Sequence, residues 1–168
     1  MEIGNNFNIL LKQILSFFSA FNNRVLILAT TAQIFSMIVK VIINIIKNKK
    51  LSLKVMTSYG GMPSSHTVFV ASFLFGIALD PEYGWTSPFF AIGIVVAAIV
   101  LIDAIKFRGT VDRINDCLKE IVSKNPEYSY IKLPKYIAHT VPEIIVGVIF
   151  AFLYTFIFYL FFYNFFTN

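Results

Sequence analysis

Charged residues are scarce in this chain. Only 14% of its 168 residues are Asp, Glu, Lys or Arg, whereas 57% are hydrophobic and 17% are aromatic. Soluble domains carry about 25% charged residues, so this balance excludes an ordinary soluble domain and predicts an integral membrane protein. The length allows one bundle of a few spanning helices, because a helix needs about 20 apolar residues to cross a bilayer.

Cysteine is nearly absent as well. Cys117 is the only one, which excludes an internal disulfide and a cysteine-based zinc cluster. The net charge of +5 would suit nucleic acid, but the basic residues stand beside apolar segments, where they set membrane topology. We therefore expect the lipid bilayer, and no nucleic acid, as a partner.

Apolar segments predict an all-α integral membrane protein, a bundle of about four transmembrane helices. The segments cover roughly residues 24–46, 66–79, 88–107 and 136–162. The second segment is short for a membrane crossing. The polar stretch that follows the third contains a predicted helix over 110–124.

The N-terminal region has a different pattern. Between residues 6 and 22, apolar residues recur at helical spacing and polar residues interrupt them, which indicates an amphipathic helix at the membrane interface. We therefore predict two parts, an N-terminal amphipathic helix over 1–23 and a transmembrane domain over 24–168.

Basic residues are absent from one loop and frequent in two others. Residues 80–88 carry Asp80 and Glu82 and no lysine or arginine. The basic loops contain Lys47, Lys49, Lys50, Lys54, Lys106, Arg108, Arg113, Lys119, Lys124, Lys132 and Lys135. The positive-inside rule predicts that both basic loops are cytoplasmic and that loop 80–88 is outside.

Both histidines of the chain stand at the start of a predicted span. His66 begins the second span and His139 the fourth, so helical hairpins bring them to one membrane face. Lys40, near the end of span one, and Arg108, at the end of span three, reach the same face. Ionisable groups there are costly, which makes a functional site the default hypothesis. The alternative is a set of interfacial histidines and snorkelling cations.

The string HTVPE places Glu143 four residues after His139. Residues i and i+4 share a helix face, so the carboxylate can hold one imidazole nitrogen and leave the other as nucleophile or base. The alternative is that Glu143 only complements the helix dipole in the first turn.

The string GGMPSSHT occupies residues 60–67. Gly60 and Gly61 allow the backbone to approach a ligand closely, and Ser64 or Ser65 can cap a helix that begins near Pro63. The N–H groups of that first turn form an anion site. The alternative, a capped helix start with a flexible hinge, explains the glycines and serines but not His66.

Together the strings GGMPSSHT, DAIKFRGTVDR (residues 103–113) and HTVPE resemble the divergent branch of the type 2 phosphatidic acid phosphatase family. This branch comprises small membrane proteins related to acid phosphatases and vanadium-dependent haloperoxidases, and the resemblance covers roughly residues 24–160. It implies that Pro63, Ser64, Ser65 and His66 form a phosphate-binding turn with a histidine acid, Ser65 standing where the wider family has glycine.

The resemblance also implies that His139 is the nucleophile and that Glu143 replaces the aspartate that orients it. Leu133 stands where the wider family has an arginine. The resemblance leaves that phosphate-binding role to three residues of the string DAIKFRGTVDR, namely Asp103, Arg108 and Arg113. Lys40 or Lys54 would replace a further phosphate-binding lysine.

The implied function is a membrane phosphatase that hydrolyses a lipid phosphate or isoprenoid (di)phosphate without metal or cofactor. It would work in the bacterial cytoplasmic membrane, with the active-site face cytoplasmic. A non-catalytic protein that binds or transports lipid phosphates or anions is the alternative, and a scaffold that needs neither histidine is a third. Homo-oligomerisation is left open.

Overall fold

The structure is a computed structural model, and it describes residue 12 and residues 23–49, 61–128, 130–133 and 139–167. The regular elements are α1 (Arg24–Asn48), α2 (Ser65–Leu79), α3 (Pro88–Ile102), a π-helical turn (Asp103–Phe107), α4 (Arg108–Lys124), a 3₁₀ turn (Pro126–Tyr128) and α5 (Val141–Thr167). Apart from residue 12, the predicted N-terminal helix lies outside the described residues, as do Gly60 and Lys54, so these stay predictions.

Side-chain caps fix where two of these helices begin. Asn23 caps α1 by accepting hydrogen bonds from the N–H groups of Val25 (3.0 Å) and Leu26 (3.1 Å). Ser87 caps α3 by accepting from Phe90 N–H at 3.1 Å, and Pro88 follows in the first turn, where its missing N–H costs nothing.

Helix lengths identify the membrane-crossing elements. Three helical stretches are long and apolar enough to cross a bilayer, over Arg24–Lys47, Pro88–Lys124 and Val141–Phe162. Helix α2 is apolar but has only 15 residues, or about 22 Å, as its short segment predicted. The chain is therefore an all-α integral membrane protein, and the predicted fold class is confirmed.

The third crossing differs from the prediction in one respect. We expected a span over 88–107 and a separate helix over 110–124, but the structure joins them into one helical stretch, Pro88–Lys124. The π-helical turn lies at the junction, where the composition changes from apolar to charged. No glycine or proline breaks the backbone between Asp103 and Arg108, so the helix continues out of the apolar zone.

The short helix α2 is the centre of the bundle, in contact with α1, α3 and α5. Glycines allow these contacts to be close. A Cβ at Gly76 would lie 3.0 Å from Val25 of α1, and a Cβ at Gly93 of α3 would lie 3.0 Å from Leu74. Small residues at helix crossings are typical of membrane bundles, where packing replaces the hydrophobic effect.

One end of the bundle, which includes loop 80–87, is held by a charged cluster around Asp80. The Asp80 carboxylate is fully buried and pairs with Arg24 at the start of α1, with Arg24 Nη2 2.8 Å from Oδ1. Tyr159 of α5 donates to Asp80 Oδ2 (3.1 Å) and lies 2.9 Å from the Gly76 carbonyl. This cluster links α1, α2 and α5.

We predict that Asp80→Asn destabilises the bundle by about 2–3 kcal/mol, because it leaves Arg24 and Tyr159 with a weaker acceptor at a buried position. Thermal unfolding in detergent measures the loss. The control is Glu82→Gln, since Glu82 is 64% exposed in its own pair with Arg24 and should contribute less than about 1 kcal/mol.

Lowering the pH should remove the stabilisation that the Asp80 carboxylate provides. Burial raises the pKa of Asp80, but hydrogen bonds from Arg24, the Glu82 backbone and Tyr159 outweigh it and hold that pKa below its ordinary value. The stabilisation is therefore complete above the unfolded pKa of about 4 and is lost as the pH falls through the lower folded value. Equal acid sensitivity of wild type and Asp80→Asn would contradict this assignment.

Candidate functional site

The opposite end of the bundle contains the first turn of α2. Ser64 is its cap: its Oγ accepts the hydroxyl hydrogen of Thr67 at 2.9 Å and the Thr67 N–H at 3.4 Å. Gly61 has φ = +88°, a conformation that favours glycine. Its N–H donates to Glu143 Oε1 of α5 at 2.9 Å, which ties the approach to α2 to the start of α5.

Glu143 also holds His139. Its Oε2 lies 3.1 Å from His139 Nδ1 and accepts the Thr140 N–H at 3.1 Å. The carboxylate therefore fixes the tautomer with hydrogen on Nδ1, which leaves Nε2 with a free lone pair. His139 is only 5% exposed, and its Nε2 is buried without a hydrogen-bond partner among the described residues.

Other polar groups face the same region. The rings of His66 and His139 are 6.3 Å apart, centre to centre, and Arg108 and Lys40 lie within electrostatic range of His66. Within the described part of the chain, Arg108 Nη1 and Ser65 Oγ are, like His139 Nε2, buried without a hydrogen-bond partner. Buried polar atoms of native proteins have partners as a rule, so this set of donors and acceptors fits a polar ligand.

A cleft of about 260 Å³ opens beside this cluster. Its lining comprises Lys40, Ile43, Asn44, Lys47, Gly61, Met62 and Glu143. The sequence analysis did not include Asn44 or Lys47 among the site residues. Their spacing from Lys40, four and seven residues on one helix face, is the signal that identifies them.

The remaining predicted phosphate ligands differ in position. Asp103 forms an ion pair with Arg108, with Oδ2 3.5 Å from Nε. Arg113 is exposed, and its guanidinium donates to Thr110 Oγ1 at 2.8 Å. Five residues turn an α-helix about 140° beyond a full turn, so Arg113 leaves α4 in another direction than Arg108, and no described contact brings it to the histidines.

A family model, the Divergent PAP2 family, matches residues 21–154. The chain belongs to this family. The resemblance noted from the sequence is thereby confirmed, and the chain is a membrane protein of a phosphatase-related kind.

One curated relative matches part of the chain. The "Uncharacterized membrane protein YuiD" of Bacillus subtilis (strain 168) is 40% identical over 83 residues, which are 49% of this chain and 51% of that protein. The match thus spans about half the length of this relative. No solved structure matches the chain.

Gly147 of α5 sets how closely α5 approaches the first turn of α2, which carries His66. A Cβ there would lie 3.0 Å from both Cβ and Cγ2 of Thr67 and 3.3 Å from the Ser64 carbonyl oxygen. Thr67 and Ser64 are buried in the first turn of α2, so neither can move aside without moving that turn.

We predict that Gly147→Ala lowers the stability of the protein by about 1–3 kcal/mol through overpacking. The control is Gly109→Ala on α4, where the nearest atom is Arg113 Nη1 at 3.9 Å. That change should be neutral or stabilising by up to about 1 kcal/mol, because alanine favours a helix. Unfolding midpoints of both variants measure the contrast, and equal midpoints would show that α5 does not need this close approach.

Proposed function

We propose that this protein is a metal-independent phosphatase that hydrolyses a lipid phosphate or isoprenoid (di)phosphate through His139. One observation carries the proposal: Glu143 holds His139 Nδ1 at 3.1 Å while Nε2 is buried with no described partner. An imidazole oriented in this way by a carboxylate is an activated nucleophile.

The reaction would proceed in two steps. His139 Nε2 attacks phosphorus, the P–N bond forms, and the bond from phosphorus to the lipid oxygen breaks as that oxygen takes a proton from His66. Water then attacks the phosphohistidine and gives its proton to His66, which releases phosphate and restores both histidines. With a diphosphate, attack at the terminal phosphorus would leave the isoprenoid monophosphate. His66 suits the acid and base role because it is exposed beside buried His139.

Positive charge would stabilise the transferring phosphoryl group. Arg108 supplies Nη1, and the first turn of α2 supplies Ser65 Oγ and backbone N–H groups that have no partner within the helix. Lys40 adds charge from α1. Such groups act where negative charge builds on the phosphoryl oxygens, the work that a metal ion does in other phosphoryl-transfer sites.

The position of the cluster supports a membrane-embedded substrate on the cytoplasmic side. The histidines stand at or just before the ends of apolar helices, so a phosphate on a lipid tail would reach them from within the bilayer. The described lysines Lys47, Lys49, Lys106, Lys119 and Lys124 lie in the chain segments that lead from α1 to His66 and from α3 to His139, whereas loop 80–87 has no basic residue. Assembly into a homo-oligomer stays a prediction.

Non-catalytic binding or transport of an anion is the second candidate. Leu133 stands where the wider family has an arginine, so the site lacks one of that family's phosphate ligands. The same cationic cluster would then hold a lipid phosphate without turning it over.

We predict that His139→Ala lowers phosphate release by at least about a thousandfold, because it removes the nucleophile. Purified protein in mixed micelles is assayed with a panel of lipid and isoprenoid phosphates. Ser72→Ala, which alters a buried hydroxyl elsewhere on α2, is the control and should keep wild-type rates. If wild type releases no phosphate from any substrate yet binds vanadate, the binding function takes its place.

We predict that the effect of His66→Ala depends on the leaving group. Loss of a general acid should cost about 10²–10⁴-fold with an alkyl phosphate. Nitrophenyl phosphate should lose less than about tenfold, because its leaving oxygen needs little protonation. Steady-state rates with both substrates test this, and the same loss with each would remove His66 from the acid role.

A further inference from the structure

The π-helical turn Asp103–Phe107 interrupts the long third helix beside the two histidines. In an α-helix the Arg108 N–H would donate to the Ala104 carbonyl, four residues back. In this turn the Arg108 N–H donates instead to the carbonyls of Asp103 and Ile105 and makes no hydrogen bond to the Ala104 carbonyl. Such turns are rare and occur frequently at functional sites.

The carbonyl that is passed over holds the backbone of His139. Ala104 O accepts the His139 N–H at 3.3 Å, and Ala104 itself is buried. His139 precedes the first residue of α5, so no bond within that helix fixes its N–H. The π turn thus supplies a second anchor for His139, in addition to the Glu143 contact with its side chain.

The same turn also aligns Asp103 with Arg108. Side chains five residues apart diverge by about 140° on an α-helix, but the wider turn closed by an i to i+5 hydrogen bond brings them closer to one face of the helix. Asp103 Oδ2 therefore reaches Arg108 Nε at 3.5 Å. The Asp103 side chain is 45% exposed, and pairs of that exposure contribute little to stability. The ion pair instead orients Arg108, whose Nη1 is buried beside the histidines.

We propose that the π turn is a positioning device for the site: Asp103 orients Arg108, and the Ala104 carbonyl orients His139. Asp103 is then a positioning residue that does not itself touch the phosphate. The roles of Arg108 and His139 toward phosphate rest on the proposed function, whereas the two contacts of the turn can be measured without turnover.

The first test is a double-mutant cycle of Asp103→Asn and Arg108→Gln. Vanadate affinity should fall about tenfold or more in each single variant, and the double variant should be no worse than Arg108→Gln alone. The Arg108 Nε–H signal in ¹⁵N spectra should broaden or shift in Asp103→Asn. Lys106→Gln removes a charge from the same turn and should change neither. Additive losses, or an unchanged Arg108 signal in Asp103→Asn, would overturn the role of Asp103.

The second test removes the extra residue of the turn. Deletion of Ile105 restores α-helical register, so the Ala104 carbonyl returns to its own helix and the His139 amide should exchange its hydrogen at least about tenfold faster. Ile105→Ala keeps the register and is the control. Unchanged exchange at His139 in a deletion variant that still unfolds cooperatively would overturn the role of Ala104.

The readouts separate the two proposals. Absence of phosphate release and of vanadate binding in wild type would defeat the proposed function, while the Arg108 signal and His139 exchange would still decide whether the π turn positions these groups. If deletion of Ile105 prevents folding, hydrogen exchange at the His139 amide is compared instead in Asp103→Asn and Lys106→Gln. Faster exchange of the His139 amide in Asp103→Asn but not in Lys106→Gln would support the proposal that the π turn positions Arg108 and His139 together. Equal exchange in the two variants would contradict it.

Discussion

The carboxylate of Glu143 is the contact on which the site depends. Through its two oxygens it accepts from the Gly61 N–H, the Thr140 N–H and His139 Nδ1. These groups belong to the approach to α2 and to the start of α5, two segments 82 residues apart at Gly61 and Glu143. A half-buried carboxylate needs several such donors, and meeting that need fixes His139 and the approach to α2 relative to each other.

The short central helix α2 connects the two polar ends of the bundle. Helix α2 is held at one end by Asp80, which pairs with Arg24 and Tyr159, and at the other by the contacts of Ser64 and Thr67 with α5. About 22 Å separates the ends of this helix, less than the roughly 30 Å of a hydrocarbon core. The polar groups at each end of α2 therefore find their partners among protein groups at that same end and not in lipid.

Much of this arrangement followed from patterns that act locally. Apolar length predicted the helices, the basic residues predicted which ends share a face, and the spacing of His139 and Glu143 predicted their contact, because residues four apart meet on any helix. The strings around Ser64, Arg108 and His139 predicted the family. These inferences hold without knowledge of helix packing.

The sequence by itself therefore determined the membrane bundle, the family and the residues near one end of it. Only the tertiary structure decided that Gly61 donates to Glu143, that α3 and α4 are one helical stretch, and that Arg108 rather than Arg113 lies beside the histidines. The physical reason is that these features depend on contacts between distant segments and on a single π turn. Neither the register between α2 and α5 nor one extra residue in a helical turn leaves a periodic trace in the sequence.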